Sequence, residues 1–141
     1  MNYDPTRATF DVVKRLSIQS TKKEEMIDIT ADVRRIVRES GILRGICHLY
    51  VPHTTAGMTV NENTDPNVKL DILAQLEKAV PREGKYRHAE GNAAAHIKSS
   101  IIGSSQAIFI ENGKLVLGTW QAIFLCEFDG PRSRNILIKV T

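Results

Sequence analysis

The sequence has few cysteines and no long apolar runs, and each shortage excludes a class of protein. Cys47 and Cys126 are the 2 cysteines among 141 residues, and neither has the spacing of a zinc knuckle or a disulfide framework. We therefore expect two buried thiols in a reducing compartment. No apolar run approaches the roughly 20 residues of a membrane-spanning helix, and the first residues do not resemble a secretory signal. These features predict a cytoplasmic protein with no membrane partner.

An excess of charge of one sign is also missing. There are 19 basic and 16 acidic residues, a net charge of +3, and the two signs are spread evenly. This balance disfavours nucleic acid as a partner, although it leaves room for a local phosphate pocket. The sequence also lacks a P-loop, a nucleophile elbow and a Ser-His-Asp order, so hydrolase and kinase functions are disfavoured.

The pattern of apolar residues predicts one α+β domain over residues 1–141, with residues 1–8 loose and helices inserted among mainly antiparallel strands. Thr30 is predicted to cap the first helix and Gly41 to end it, while Asp65-Pro66 begins the second. Asn112-Gly113 is typical of a two-residue hairpin turn. The predicted strands cover 9–19, 25–29, 42–51, 106–111, 114–117, 122–128 and 135–140, and the helices 31–40, 66–80 and 92–102.

The most unusual stretch is HTTAGMTVNENTD, from His53 to Asp65. Its polar side chains are too dense for a strand that only fills a core, because burying them unsatisfied is costly. Two interpretations remain open at this point. The stretch is either part of a functional site or a polar edge strand that runs into a turn, with Asp65 acting only as a helix cap.

Three histidines, His53, His88 and His96, are candidates for a metal site together with Glu62. Imidazole is a common ligand of zinc, and three such ligands leave a coordination position open for water or substrate. Zinc or magnesium is the predicted cofactor, although the spacing is not that of a compact motif. The alternative is that His96 is a packed polar group within its helix. His48 lies in the middle of a predicted strand and is interpreted as structural.

A second group of residues is suited to binding a phosphorylated small molecule. Arginine and lysine neutralise phosphate charge, hydroxyls and amides donate hydrogen bonds, and an indole ring can stack on a planar ligand. The competing interpretation is a set of solvated charges and caps, with the tryptophan in the core. The candidates are Thr54, Thr55, Asn92, Lys98, Ser99, Trp120, Gln121 and Arg132.

Four blocks in their order and spacing, HTTAGMTVNENTD, HAEGNAAAHIKSSIIG, GTWQ and FDGPR, resemble the YjbQ-like family (UPF0047) over residues 10–140. The resemblance implies an α+β, mainly antiparallel β-sandwich with inserted helices. It also implies a homotrimer whose shared polar blocks meet near the subunit boundary. The family carries the label secondary thiamine-phosphate synthase, a transferase that joins a hydroxymethylpyrimidine diphosphate to a thiazole phosphate.

Two functions of different classes follow from these observations. The first is an enzyme of the synthase type, with Glu62 and Asn61 as catalytic residues beside the histidines. The second is a trimeric protein that binds a phosphorylated metabolite or a metal without turnover. Glu62 favours the enzyme, because a carboxylate contributes nothing to the binding of an anion.

Overall fold

The computed structural model describes residues 12–141. The predicted loose segment 1–8 and the start of the first strand, including Phe10, lie outside this range. The described part contains eight strands and three helices. The strands are β1 (Lys14–Gln19), β2 (Glu25–Asp28), β3 (Gly45–Tyr50), β4 (Ala56–Glu62), β5 (Ser105–Glu111), β6 (Lys114–Leu115), β7 (Gln121–Glu127) and β8 (Ser133–Val140), and the helices are α1 (Thr30–Ser40), α2 (Pro66–Ala79) and α3 (Ala93–Ile102).

The strands form two antiparallel sheets. One has five strands in the order β1-β8-β3-β5-β6, and the other has three in the order β2-β7-β4. Every pairing is antiparallel. The predicted α+β sandwich with inserted helices is therefore confirmed.

Strand β7 explains why the fold has layers. It is buried on both faces, as its nearly continuous apolar sequence QAIFLCE indicates. Ile123 and Leu125 join the main core, to which the five-stranded sheet also contributes. Phe124 and Cys126 point the other way, into a smaller cluster that includes apolar residues of α2 and α3. The layers are therefore the five-stranded sheet, the three-stranded sheet and a layer containing these two helices.

Helix α3 lies unusually close to β4, and this contact fixes the helix that carries His96. The alanines at 93–95 are buried, as expected for a helix that approaches another backbone. Gly57 of β4 permits the approach, because a Cβ there would lie 2.7 Å from the carbonyl oxygen of Gly103. The Met58 N–H donates a hydrogen bond to the same oxygen at 2.9 Å.

The predicted turns and caps are mostly confirmed. Asp65 caps α2 by accepting a hydrogen bond from Asn67 N–H at 2.9 Å, and Asn112 and Gly113 both have positive φ in the β5–β6 turn. Thr30 is a correction, since it is the first helical residue and Ile29 occupies the cap position. Its hydroxyl instead donates to Asp28 and accepts from a β7 N–H.

The cysteines are buried, as predicted. Burial raises the pKa of Cys47 to about 11, and burial likewise raises the pKa of Cys126 to about 12. Within residues 12–141, none of the helices has the length and apolar composition required to cross a membrane.

Candidate functional site

The candidate site lies at the end of the sandwich where β7 ends and β4 and β8 begin. Glu127 pairs with Ala56 in the antiparallel register of β7 and β4. Arg134 pairs with Ile18 near the end of β1. Strand pairing therefore brings polar residues from both sheets to one end of the core.

A buried ion pair joins the two sheets at this end. Glu127 is fully buried and Arg134 nearly so. The Arg134 guanidinium donates to both carboxylate oxygens of Glu127 and to the hydroxyl and carbonyl oxygens of Thr55. Burial raises the pKa of Glu127, but hydrogen bonds from Arg134 and Ser20 outweigh it, so the net pKa lies below its usual value. The carboxylate is therefore charged at neutral pH.

A second buried carboxylate, Asp129, organises the surface above this pair. It accepts hydrogen bonds from Lys23, from the Asn92 amide at 3.0 Å and from Arg132 Nη2 at 2.7 Å. Burial opposes ionisation, but the hydrogen bonds lower the pKa of Asp129 to about 2. Asp129 carries one negative charge, whereas Lys23 and Arg132 carry two positive charges between them. The three side chains together therefore have a net charge of +1. Arg132 also donates Nε–H to the Asp129 carbonyl, and its half-exposed guanidinium is thereby held at the surface.

These groups surround an open pocket of about 380 Å³. Six of the sequence-predicted site residues line it, together with three that were not predicted. The predicted residues are His53, Thr54, Thr55, Asn92, His96 and Arg132, and the others are Pro52, Glu90 and Arg134. The lining combines hydroxyls, imidazoles, an amide, the Glu90 carboxylate and two guanidinium groups.

His53 has a defined hydrogen bond that bears on the predicted metal site. Its Nε2 accepts from the Asn135 backbone N–H at 2.9 Å, so in the neutral ring the proton is on Nδ1. Burial and the Arg134 charge lower the pKa of His53, which favours this neutral form. Neither nitrogen then has a free lone pair for a metal. The ring is instead suited to donate its Nδ1–H.

The other two histidines lie against each other. The rings of His88 and His96 meet edge to face with centroids 5.1 Å apart. His96 lines the pocket, whereas His88 lies in an adjoining depression and approaches Glu90 at 3.6 Å. Residues 12–141 contain no group of three or more side chains arranged to hold a metal ion. One protomer therefore does not arrange His53, His88 and His96 as a three-ligand group within residues 12–141, and the zinc or magnesium site stays a prediction.

Lys98 and Ser99 do not line the pocket, contrary to prediction. The Lys98 ammonium is 0% exposed and is bound by the carboxylates of Glu24 and Glu77. Its charge is paired within the fold, where the two ion pairs hold α3 against its neighbours. The Ser99 hydroxyl donates to the Ala95 carbonyl within the same helix. Both residues face the packed side of α3 instead of the pocket.

The predicted catalytic pair lies at the opposite end of β4. Glu62 pairs with Gln121, whereas the pocket end of β4 begins at Ala56. Six residues of extended strand separate these ends by about 20 Å. Asn61 accepts a hydrogen bond from the Glu62 N–H, and Gln121 accepts one from Gly118. Trp120 lies at this far end as well and is 61% exposed, so it neither fills the core nor lines the pocket.

Glu127, Asp129 and Arg134 are the buried charged residues of the site that the sequence interpretation missed. Arg134 shares its strand parity with the buried Ile136 and Ile138, and a charge on that face is a sign of a buried partner. Glu127 likewise is a buried charge that directly follows the apolar residues 122–126 of its strand. These two exceptions to the apolar pattern were available in the sequence.

A larger groove of about 550 Å³ lies between α1 and the β5–β6 turn. Arg34, Arg38 and Lys114 line it with apolar and turn residues, and none of its lining residues is a histidine, a carboxylate or a hydroxyl. It therefore presents fewer kinds of functional group than the pocket at the other end of the sandwich.

Comparison with known proteins gives consistent matches. Residues 14–141 match the family model described as UPF0047 protein YjbQ-like. The chain is 53% identical to UPF0047 protein YugU of Bacillus subtilis over 92% of this chain and 98% of that protein. It is 50% identical to UPF0047 protein MJ1081 of Methanocaldococcus jannaschii, over 92% and 96% of the two chains. The crystal structure of an uncharacterized conserved yjbq/upf0047 family protein from Clostridium acetobutylicum is 52% identical, with a TM-score of 0.90 over 92% of this chain and 100% of that one.

Proposed function

Since the chain belongs to the YjbQ-like UPF0047 family, we propose that the pocket lined by His53, Thr54 and Arg132 binds the phosphate group of a small molecule. This proposal rests on the net positive charge of the group formed by Asp129, Lys23 and Arg132, in which one carboxylate pairs with two cations. A guanidinium with free N–H groups at an open pocket matches the geometry of a phosphate. Thr54 contributes an exposed hydroxyl, and His53 contributes Nδ1–H.

The strength of such a site follows from the number of charge-assisted contacts. Each is worth about 1.5–3 kcal/mol. Two or three contacts give binding on the order of micromolar once the cost of association is subtracted. Because the pocket is open to solvent, the affinity is expected to fall as the salt concentration rises.

Calorimetry with inorganic phosphate and pyrophosphate tests the proposal. Arg132→Ala should remove the binding heat, whereas the control Arg35→Ala should retain it, because Arg35 pairs with Asp32 and Glu39 on α1. Titrations with and without zinc or magnesium show whether the anion requires a metal. No heat and no thermal shift at millimolar ligand, with or without metal, would refute the anion site.

We further propose that the phosphate pocket serves the transferase reaction of a secondary thiamine-phosphate synthase, carried out by a homotrimer. The supporting observation is the polar far end of β4, where Glu62 pairs with Gln121, which follows the exposed Trp120. Within one protomer, this end is about 20 Å from the pocket. Glu62 can therefore act on a ligand bound there only if the pocket is that of a neighbouring subunit.

This reaction is tested by activity and mass together. Light scattering should give a trimer, and Glu62→Gln should abolish thiamine-phosphate formation, because the amide cannot accept a proton. Glu111→Gln is the control, since Glu111 is an exposed residue at the end of β5. Full activity of Glu62→Gln, or a stable monomer, would exclude the shared site. Phosphate binding without turnover by the unmodified protein would favour the binding protein instead.

A further inference from the structure

Helix α1 separates its charged side chains onto two sides. Arg35 contacts both acidic side chains of the helix, Asp32 at 3.5 Å and Glu39 at 3.6 Å. Arg34 and Arg38 are exposed and lie one turn apart on a different side, because each residue advances the helix by about 100°. Within residues 12–141, neither of them is in an ion pair. The carboxylates of α1 are therefore paired on one side, and two arginines on the other side have no carboxylate partner.

These two arginines line the groove of about 550 Å³ between α1 and the β5–β6 turn, and Lys114 of β6 adds a third cation to its lining. Lys114 pairs in register with Glu111, but the two side chains form no ion pair, and Glu111 lines a different depression. Arg38 is in the last turn of α1, where a cation is favourable beside the helix carbonyls. That role explains neither Arg34 nor Lys114. Cations from two separate elements therefore surround one space whose lining, among residues 12–141, contains no carboxylate.

Apolar side chains lie between the cations. Val37, Ile42 and Leu115 line the groove and belong to the main core or pack against it. Leu43 also lines the groove and is 67% exposed, so an apolar ligand that covers it removes apolar surface from water. The Gly113 N–H donates to the Leu43 carbonyl at 3.1 Å, which fixes the β5–β6 turn beside this loop. The groove also has the volume of a small-molecule site, for which about 300–1,000 Å³ is usual.

We propose that this groove binds a medium-chain carboxylate, with its anionic group at Arg34 and Lys114 and its apolar chain over Leu43. Charge complementarity favours an anion, since a guanidinium matches a carboxylate in shape as well as in charge. The apolar lining favours a ligand with an apolar body, which a small inorganic anion lacks. The groove shares no lining residue with the phosphate pocket, so this site is independent of the proposed function.

Calorimetry with three probes separates the two contributions. Octanoate carries both the charge and the chain, 1-octanol carries the chain alone, and acetate carries the charge alone. An exposed ion pair contributes up to about fivefold in affinity, so contacts with two or three cations should make octanoate bind at least about 10-fold more tightly than 1-octanol. Acetate should give no measurable heat at the same concentration.

Variants and backbone amide NMR locate the binding. Arg34→Gln/Lys114→Gln should lower the affinity for octanoate to that for 1-octanol. Arg35→Gln is the matched control on the other side of α1 and should leave the octanoate affinity unchanged. All three side chains are exposed, so these substitutions leave the core intact. In the unmodified protein, octanoate should shift the amide signals of Gly41 and Gly113, which both line the groove.

Equal affinities for octanoate and 1-octanol, or no heat with octanoate at millimolar concentration, would overturn the proposal. Amide shifts confined to residues outside the groove, or tight octanoate binding by Arg34→Gln/Lys114→Gln, would overturn it as well. If light scattering shows that this double substitution breaks up an assembly of the unmodified protein, a second copy of the chain covers the groove and the carboxylate site is wrong. None of these results changes the phosphate test at Arg132, which uses inorganic phosphate.

Discussion

Replacing Arg134 by methionine should strongly destabilise the fold at neutral pH. The change leaves Glu127, which is 0% exposed, without its guanidinium partner. Glu127 keeps only the donors from Ser20 and from the Asp129 N–H. Removing one member of a buried ion pair costs about 3–5 kcal/mol, because the remaining charge is uncompensated. For a domain of this size, the melting temperature should fall on the order of 10 °C or more.

The loss of stability in Arg134→Met should depend on pH in a definite direction. In the unmodified protein the pKa of Glu127 is lowered, so its stabilising contribution is present above the unfolded-state pKa and is lost as the pH falls through the folded-state pKa. In Arg134→Met, burial without the cation raises the pKa of Glu127, so protonation relieves the penalty. The difference in unfolding free energy between the two proteins should therefore shrink between pH 7 and pH 5.

Urea unfolding of both proteins at several pH values, at one fixed protein concentration, measures the effect. The double variant Arg134→Met/Glu127→Gln is the matched control, because it removes the unpaired charge and should recover part of the loss. Arg35→Met, on the exposed face of α1, should change stability little. A loss below about 1 kcal/mol that does not vary with pH would refute the role assigned to the buried pair.

Three further predictions concern the scaffold. Gly57→Ala should cost about 1–3 kcal/mol in urea unfolding, because the new Cβ meets the Gly103 backbone oxygen; an unchanged midpoint would show that α3 can move away. Asp65→Ala should cost about 1 kcal/mol through loss of the α2 cap, and no loss would show that the capping bond contributes nothing. Cys47 and Cys126 should react with a thiol reagent at pH 8 only after unfolding, since both are buried with raised pKa values; rapid labelling of the folded protein would contradict this.

The secondary structure could be predicted from the sequence because its signals are local. The apolar alternation around Ile136 and Ile138 predicts β8, and the Asn112-Gly113 pair predicts the hairpin turn. Both are found: β8 begins two residues earlier than predicted and ends at the predicted residue, and the turn lies at Asn112 and Gly113. Six of the nine lining residues could be recognised as well, among them His53, Thr54 and Thr55, which stood out as polar groups at a strand end.

Only the tertiary structure decided which polar residues meet. Arg134 and Glu127 are brought together by the turn between β7 and β8, and the strand pairing fixes their contact. His53 and Glu62 are close in sequence but lie at opposite ends of β4, because an extended strand advances about 3.3 Å with every residue. Lys98 has the charge of a phosphate ligand, yet packing directs it to two carboxylates. The sequence determines the chemical type of each side chain and its local backbone, whereas strand register and helix packing determine its partners.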